Sequence, residues 1–91
     1  MKFLIRLYML STLEGGRKST AKEHYRPDWK WEGSDMLCCA QILSDVSPGE
    51  TKELIIEPLV SDNWCDVSIG TQLTVQEGPK VVGHGEVLEV L

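Results

Sequence analysis

Phe3, Ile5, Leu7 and Met9 alternate with Lys2, Leu4, Arg6 and Tyr8, a period of two that predicts a half-buried β-strand. Residues 11–28 are rich in glycine, serine, threonine and charge and close on Pro27, which predicts a long loop. Trp29-Lys30-Trp31 puts two indoles on one face and an ammonium on the other, a second strand with the indoles turned to the core. Met36 to Leu43 fits a strand or a helical turn on periodicity alone. Gly33 on one side and the Ser47-Pro48-Gly49-Glu50 turn on the other favour a strand. Thr51 to Leu59 carries Leu54 and Ile56 on one face, and Ser61-Asp62-Asn63 reads as a turn. Ile69 to Val75 alternates again, with Ile69, Thr71, Leu73 and Val75 against Gln72 and Thr74. Glu77-Gly78-Pro79-Lys80 predicts a hairpin turn into a last strand over Val81 to Leu91.

Six or so short strands, with turn signals about every 8–12 residues, predict an all-β chain built as an antiparallel barrel or sandwich. Gly83 and Gly85 lie inside the last strand, where glycine marks a bulge, a sharp bend or a close backbone approach. Closure into a barrel supplies such a bend and removes the exposed edges. The 91 residues are read as one domain over 1–91. Hydrophobic residues make up 42% and charged residues 25%, a globular balance rather than that of a disordered tail.

No apolar run approaches the roughly 20 residues that cross a bilayer, so no membrane partner is expected. The first ten residues have the apolar weight of a leader. Arg6 interrupts them and no small-x-small cleavage site follows, which favours the strand. Cys38, Cys39 and Cys65 are odd in number and two are adjacent, so no disulfide framework is expected and a reducing, cytoplasmic setting fits best.

Charge is unevenly placed. Residues 1–31 hold seven Lys/Arg against Glu14, Glu23 and Asp28, a balance of +4, whereas residues 32–91 hold Lys52 and Lys80 against eleven carboxylates, a balance of −9. The division suggests a basic face for an anionic partner on an acidic body. A net charge of −5 argues against strong non-specific nucleic-acid binding, DNA included.

Candidate chemistry is sparse. Gly16-Arg17-Lys18-Ser19-Thr20 ends like a phosphate-binding loop, but Arg17 stands where that loop needs glycine, its first glycine is missing and no helix follows. No nucleotide is expected to bind. The cysteines and the two histidines, His24 and His84, lack the ligand pairs two to four residues apart that zinc sites use, so the thiols are expected to pack as small hydrophobes. Spacing selects no histidine partner for Cys65, and no carboxylate pair is distinguished. The expectation is a chain that is not an enzyme and carries no cofactor and no metal.

Two blocks of sequence carry a resemblance. Tyr8-Met9-Leu10-Ser11-Thr12-Leu13-Glu14-Gly15-Gly16-Arg17, followed by Tyr25-Arg26-Pro27-Asp28-Trp29-Lys30-Trp31, resembles the start of the C-terminal third domain of elongation factor Tu. That family shows a tyrosine-isoleucine-leucine-serine run, then glutamate-glycine-glycine-arginine, then tyrosine-arginine-proline before an aromatic strand. Ser47-Pro48-Gly49-Glu50 stands where the family has methionine-proline-glycine-aspartate, and Leu73 to Leu88 is similar to its closing hairpin. The resemblance spans nearly the whole chain in order, with a looser middle over residues 34–70.

The resemblance implies a six-stranded antiparallel β-barrel that binds no GTP itself. In the family this domain contacts the T stem of aminoacyl-tRNA and docks on the GTPase domain and on the exchange factor. Gly15, Gly16 and Arg17 fall on the family's glycine-glycine-arginine loop, Lys18 on its histidine, and Gly78 on the hairpin glycine near the tRNA backbone. The departures are specific. Asp28 replaces a glutamine that contacts RNA, Pro79 replaces the second hairpin glycine, and Ser19-Thr20-Ala21 replaces threonine-proline-phenylalanine. The family's first two domains have no counterpart in these residues, so elongation by this chain acting alone is not expected.

Two readings follow. In one, a stand-alone module binds tRNA, another RNA or the ribosome through Arg17, Lys18, Lys22, Arg26 and Lys30 beside Gly78. In the other, a non-catalytic barrel binds a protein partner of translation-related or toxin–immunity type, its acidic body suiting a basic protein. Asp28, Pro79 and the net charge favour the second. Candidate binding residues for either are Gly15, Gly16, Arg17, Lys18, Lys22, Tyr25, Arg26, Lys30, Gly78 and Lys80.

Overall fold

The computed structural model describes residues 1–34 and 36–91; Asp35, one of the carboxylates in the charge balance, lies outside them. The alternating segments form six strands: β1 (Phe3–Met9), β2 (Asp28–Lys30), β3 (Cys38–Ile42), β4 (Thr51–Pro58), β5 (Gln72–Glu77) and β6 (Lys80–Val90). Every pairing is antiparallel, and the order β1-β4-β3-β2-β5-β6 closes into a barrel because β6 also pairs with β1. The choice between barrel and sandwich therefore falls to the barrel.

Alternation decides the two faces. Phe3, Ile5, Leu7 and Met9 are buried while Arg6 is exposed, and Leu54, Ile56, Leu73 and Val75 point inward from β4 and β5. Trp29 and Trp31 are buried with Lys30 exposed between them, as their spacing predicts.

Two corrections concern where strands begin. Ile69 continues the period of β5 in sequence but is 68% exposed. Gly70, at φ 91°, breaks the extended backbone, and β5 starts only at Gln72. β3 likewise starts at Cys38, leaving Met36 and Leu37 exposed outside it.

β6 is the longest strand, and its pairing slips twice. Opposite β1 the register passes from Leu4↔Glu89 to Ile5↔Val87, and opposite β5 from Val75↔Gly83 to Gln76↔Val81. Each slip is a bulge of the kind that coils a strand enough to close a small barrel. Gly83 serves close approach as well, since a Cβ there would lie 2.8 Å from the Tyr8 carbonyl oxygen and 3.0 Å from Met9 Sδ.

One end of the barrel is filled by aromatic rings. The 3₁₀ turn Ser61–Trp64, in a stretch read from sequence only as a turn, carries Trp64 into the core. Its ring lies 4.7 Å from Trp31, 5.6 Å from Phe3 and 6.4 Å from Trp29 between centroids. Trp29 Nε1 donates to the Ala40 carbonyl at 3.0 Å and Trp31 Nε1 to Asp66 Oδ2 at 3.1 Å. Trp64 Nε1 is buried and has no acceptor among the described residues.

Candidate partner-binding surface

The loop after β1 is held by its own residues. Ser11 caps a 3₁₀ turn over Thr12–Glu14: Glu14 N donates to Ser11 Oγ at 3.2 Å, and Ser11 N donates to Glu14 Oε1 at 2.9 Å, a reciprocal capping box. Tyr8 also donates its hydroxyl to Glu14. Gly15 ends the turn at φ 92°, the left-handed conformation that favours glycine. Gly16 is buried because the chain doubles back there: its N–H donates to the Ser11 carbonyl at 2.9 Å, and a Cβ would sit 2.0 Å from the Leu10 carbonyl oxygen. Each residue of the Glu14-Gly15-Gly16 run therefore has a structural task.

Arg17 then reaches across the barrel end. Its guanidinium pairs with Glu77, stacks 4.4 Å over the Tyr25 ring centroid, and donates from Nε to the Ser19 carbonyl at 3.3 Å. Tyr25 donates its hydroxyl to the same Glu77 oxygen, and Lys80 Nζ reaches the Gly16 carbonyl at 3.4 Å. The two blocks of sequence that carry the resemblance thus close on each other. Gly78 holds φ 61° at the first turn position with Pro79 behind it, the sign pattern of a type II′ hairpin.

The electrostatics follow. Burial raises the Tyr25 hydroxyl well above the phenol range, and its bond to Glu77 raises it further. Burial also works to raise the Glu77 carboxyl, but the Tyr25 hydroxyl and the Arg17 guanidinium outweigh it and hold that carboxyl below its usual value. A carboxyl depressed by folding stabilises the native state above its unfolded pKa, and that contribution drains away as pH falls through the lower folded value. Stability should therefore decline as pH drops below about 4.5, the usual value for such a carboxyl. Glu77→Gln should make the decline shallower, because Glu14 and Asp45, also held low, still titrate. Urea midpoints at a series of pH values check this, and an acid limb of unchanged slope in the variant would refute it.

The expected binding residues do not form one strip. Gly15, Gly16, Arg17, Tyr25, Gly78 and Lys80 gather at one end of the barrel. Lys22 is drawn to the other side of that end, where the Ala21↔Val46 bridge sets it 3.5 Å from Asp45. Lys30 stands on the barrel wall opposite Thr74. Lys18 and Arg26 are exposed and form no ion pair among the described residues.

The thiols divide three ways. Cys38 is buried, Cys39 half-buried and Cys65 exposed, all three free, so packing as a small hydrophobe holds for Cys38 and fails for Cys65. Burial raises the Cys38 and Cys39 thiols above their usual value. Cys65 Sγ contacts the Asp62 carbonyl at 3.1 Å, and His24 Nδ1 lies 3.1 Å from Gln41 Oε1, so neither histidine is bonded to a thiol among the described residues. No group of three or more His, Cys, Asp or Glu among those residues is placed to hold a metal ion, and no helix is long and apolar enough to cross a membrane.

The opposite end of the barrel carries no motif that marks it in the sequence. A cleft of about 240 Å³ opens there between Trp31, Met36, Cys38 and Asp66, at the end of the barrel that also exposes Leu59 and Val60. The only sequence signal was the excess of acid in the second half of the chain. Protein-family models, searched with this chain, give no match.

Proposed function

We propose that this chain is a non-catalytic binding module of the elongation factor Tu third-domain type whose partner is a protein. One observation carries the reading: Arg17, the residue best matched to a phosphate-facing role, has its charge occupied by Glu77 and its face stacked on Tyr25. A phosphate would have to compete with an ion pair already in place. Asp28 stands where the resembling family presents a neutral RNA contact, and Pro79 withdraws a backbone donor from the hairpin. The fit between the first loop and the last hairpin supports the resemblance. The module acts by presenting a surface, and its acidic body selects a basic partner through complementary charge.

The RNA reading keeps one support: Lys18 and Arg26 are exposed and form no ion pair among the described residues. The test is a tagged pull-down of the full chain from bacterial lysate, with and without nuclease. A stoichiometric protein that survives nuclease is expected. RNA that disappears with nuclease and with Lys18→Glu/Arg26→Glu would overturn the proposal; Arg17 is unsuitable for charge reversal because its loss would loosen the loop.

A further inference from the structure

Among the exposed large apolar side chains, Leu13 alone belongs to the end that carries the 11–27 loop. The others, including Met36, Leu37, Leu59 and Val60, stand at the opposite end, where β1, β3 and β5 begin and β2, β4 and β6 finish. Leu59 N donates to the Cys39 carbonyl at 3.2 Å, which carries the β3–β4 pairing past Pro58 and brings the 59–60 pair alongside the 36–38 segment. These residues make an apolar ridge, which Met36 joins to the cleft that Trp31 and Asp66 also line.

The charges beside this ridge are mostly of one sign. Glu32, Asp62, Asp66 and Glu89 are exposed at this end against Lys2 and Lys30. Asp66 Oδ2 accepts from Trp31 Nε1 at 3.1 Å, which fixes the carboxylate at the cleft, while its second oxygen accepts no hydrogen bond among the described residues. An indole and an adjacent carboxylate at an open cleft suit a cationic side chain, the head held by the carboxylate and the aliphatic stem lying on the ring.

The geometry points to this end of the barrel as the docking surface for a basic, apolar segment of a partner protein, a lysine or arginine of which enters the cleft against Asp66. The inference rests on the protein-binding reading above and says which surface serves it and what the partner presents. A second copy of this chain fits poorly. A two-fold contact would set Glu32, Asp62 and Asp66 against their own counterparts, and like charges facing each other across an interface are costly.

A titration followed by amide and indole NMR tests the surface directly at physiological ionic strength. The probe is a short capped peptide alternating leucine and lysine; leucine–glutamate and serine–lysine peptides of the same length are the controls. The leucine–lysine peptide should move the Trp31 indole signal and the amides of 36–38 and 59–66, and the controls should not. Asp66→Asn keeps an acceptor for Trp31 and should weaken binding about tenfold through loss of the charge-assisted bond. Val60→Glu, at an exposed position, should abolish it with unchanged thermal stability. Shifts confined to the 11–27 loop, an equal response to serine–lysine, or indifference to Asp66→Asn would overturn the inference. So would a concentration-dependent dimer that Val60→Glu dissociates, or an RNA hairpin that shifts the same residues. A nuclease-resistant lysate partner still held by Val60→Glu would refute this surface and leave the protein-binding reading standing.

Discussion

Trp64→Ala should destabilise the fold by about 3–5 kcal/mol, the cost seen when a large buried aromatic is truncated. The indole is fully buried between Phe3, Trp29 and Trp31, and its neighbours come from β1, β2 and the segment just after β2. No single element can shift to fill the space. A domain of this size has roughly 5–14 kcal/mol of stability in all, so the variant loses between about a fifth and all of it. Trp64→Phe should be much milder. It keeps a ring in contact with the other three and removes a buried N–H that has no acceptor among the described residues, a group that is costly to leave unpaired. Urea denaturation of the two variants checks the order, and a Trp64→Ala loss below about 1 kcal/mol would mean that the ring does not organise this end of the barrel.

The second large effect separates two adjacent glycines. Gly16→Ala should cost about 3 kcal/mol or more, because the new Cβ meets backbone, at 2.0 Å from the Leu10 oxygen and 2.6 Å from its carbon, and backbone cannot rotate out of the way. The loop must open, and with it the Arg17–Glu77 pair. Gly15→Ala meets nothing within 4 Å but sits at φ 92°, so its cost is the left-handed penalty of about 1–2 kcal/mol. Asparagine, which tolerates that conformation, should recover part of the loss at Gly15 and none at Gly16. Equal losses at the two positions, or rescue at Gly16, would remove the distinction.

Much of the barrel was legible because it depends on local signals. β1 and β4 show their inward faces in sequence as alternation, and the last hairpin announces itself through Gly78 and Pro79. Alternation alone starts β5 three residues too early, because Ile69 keeps the period and the pattern does not register that Gly70 turns the chain. Met36, Leu37 and Leu59 read as strand ends, since sequence does not tell an apolar residue facing water from one facing the core. The Arg17–Tyr25–Glu77 cluster was hidden for another reason. Its members are far apart in the chain, and an arginine that pairs within the fold looks the same in sequence as one that awaits phosphate. The third tryptophan stands just past the Ser61-Asp62-Asn63 turn, and no local pattern there marks its ring as the one that fills an end of the barrel.

The seam between β1 and β6 has a consequence for synthesis. The first strand and the last are neighbours, with Phe3 paired to Val90 and Leu91 N donating to the Lys2 carbonyl at 2.9 Å. A ribosome delivers the chain from its N-terminus, so β1 waits beside β4 with one edge unpaired until β6 has left the exit tunnel. An open strand edge invites pairing with other chains, and non-local closure is slow. During that interval the nascent chain is most open to aggregation and to chaperone capture. A stalled nascent chain in which residues 80–91 are still inside the tunnel should therefore remain protease-sensitive, and their emergence should bring protection in a single step.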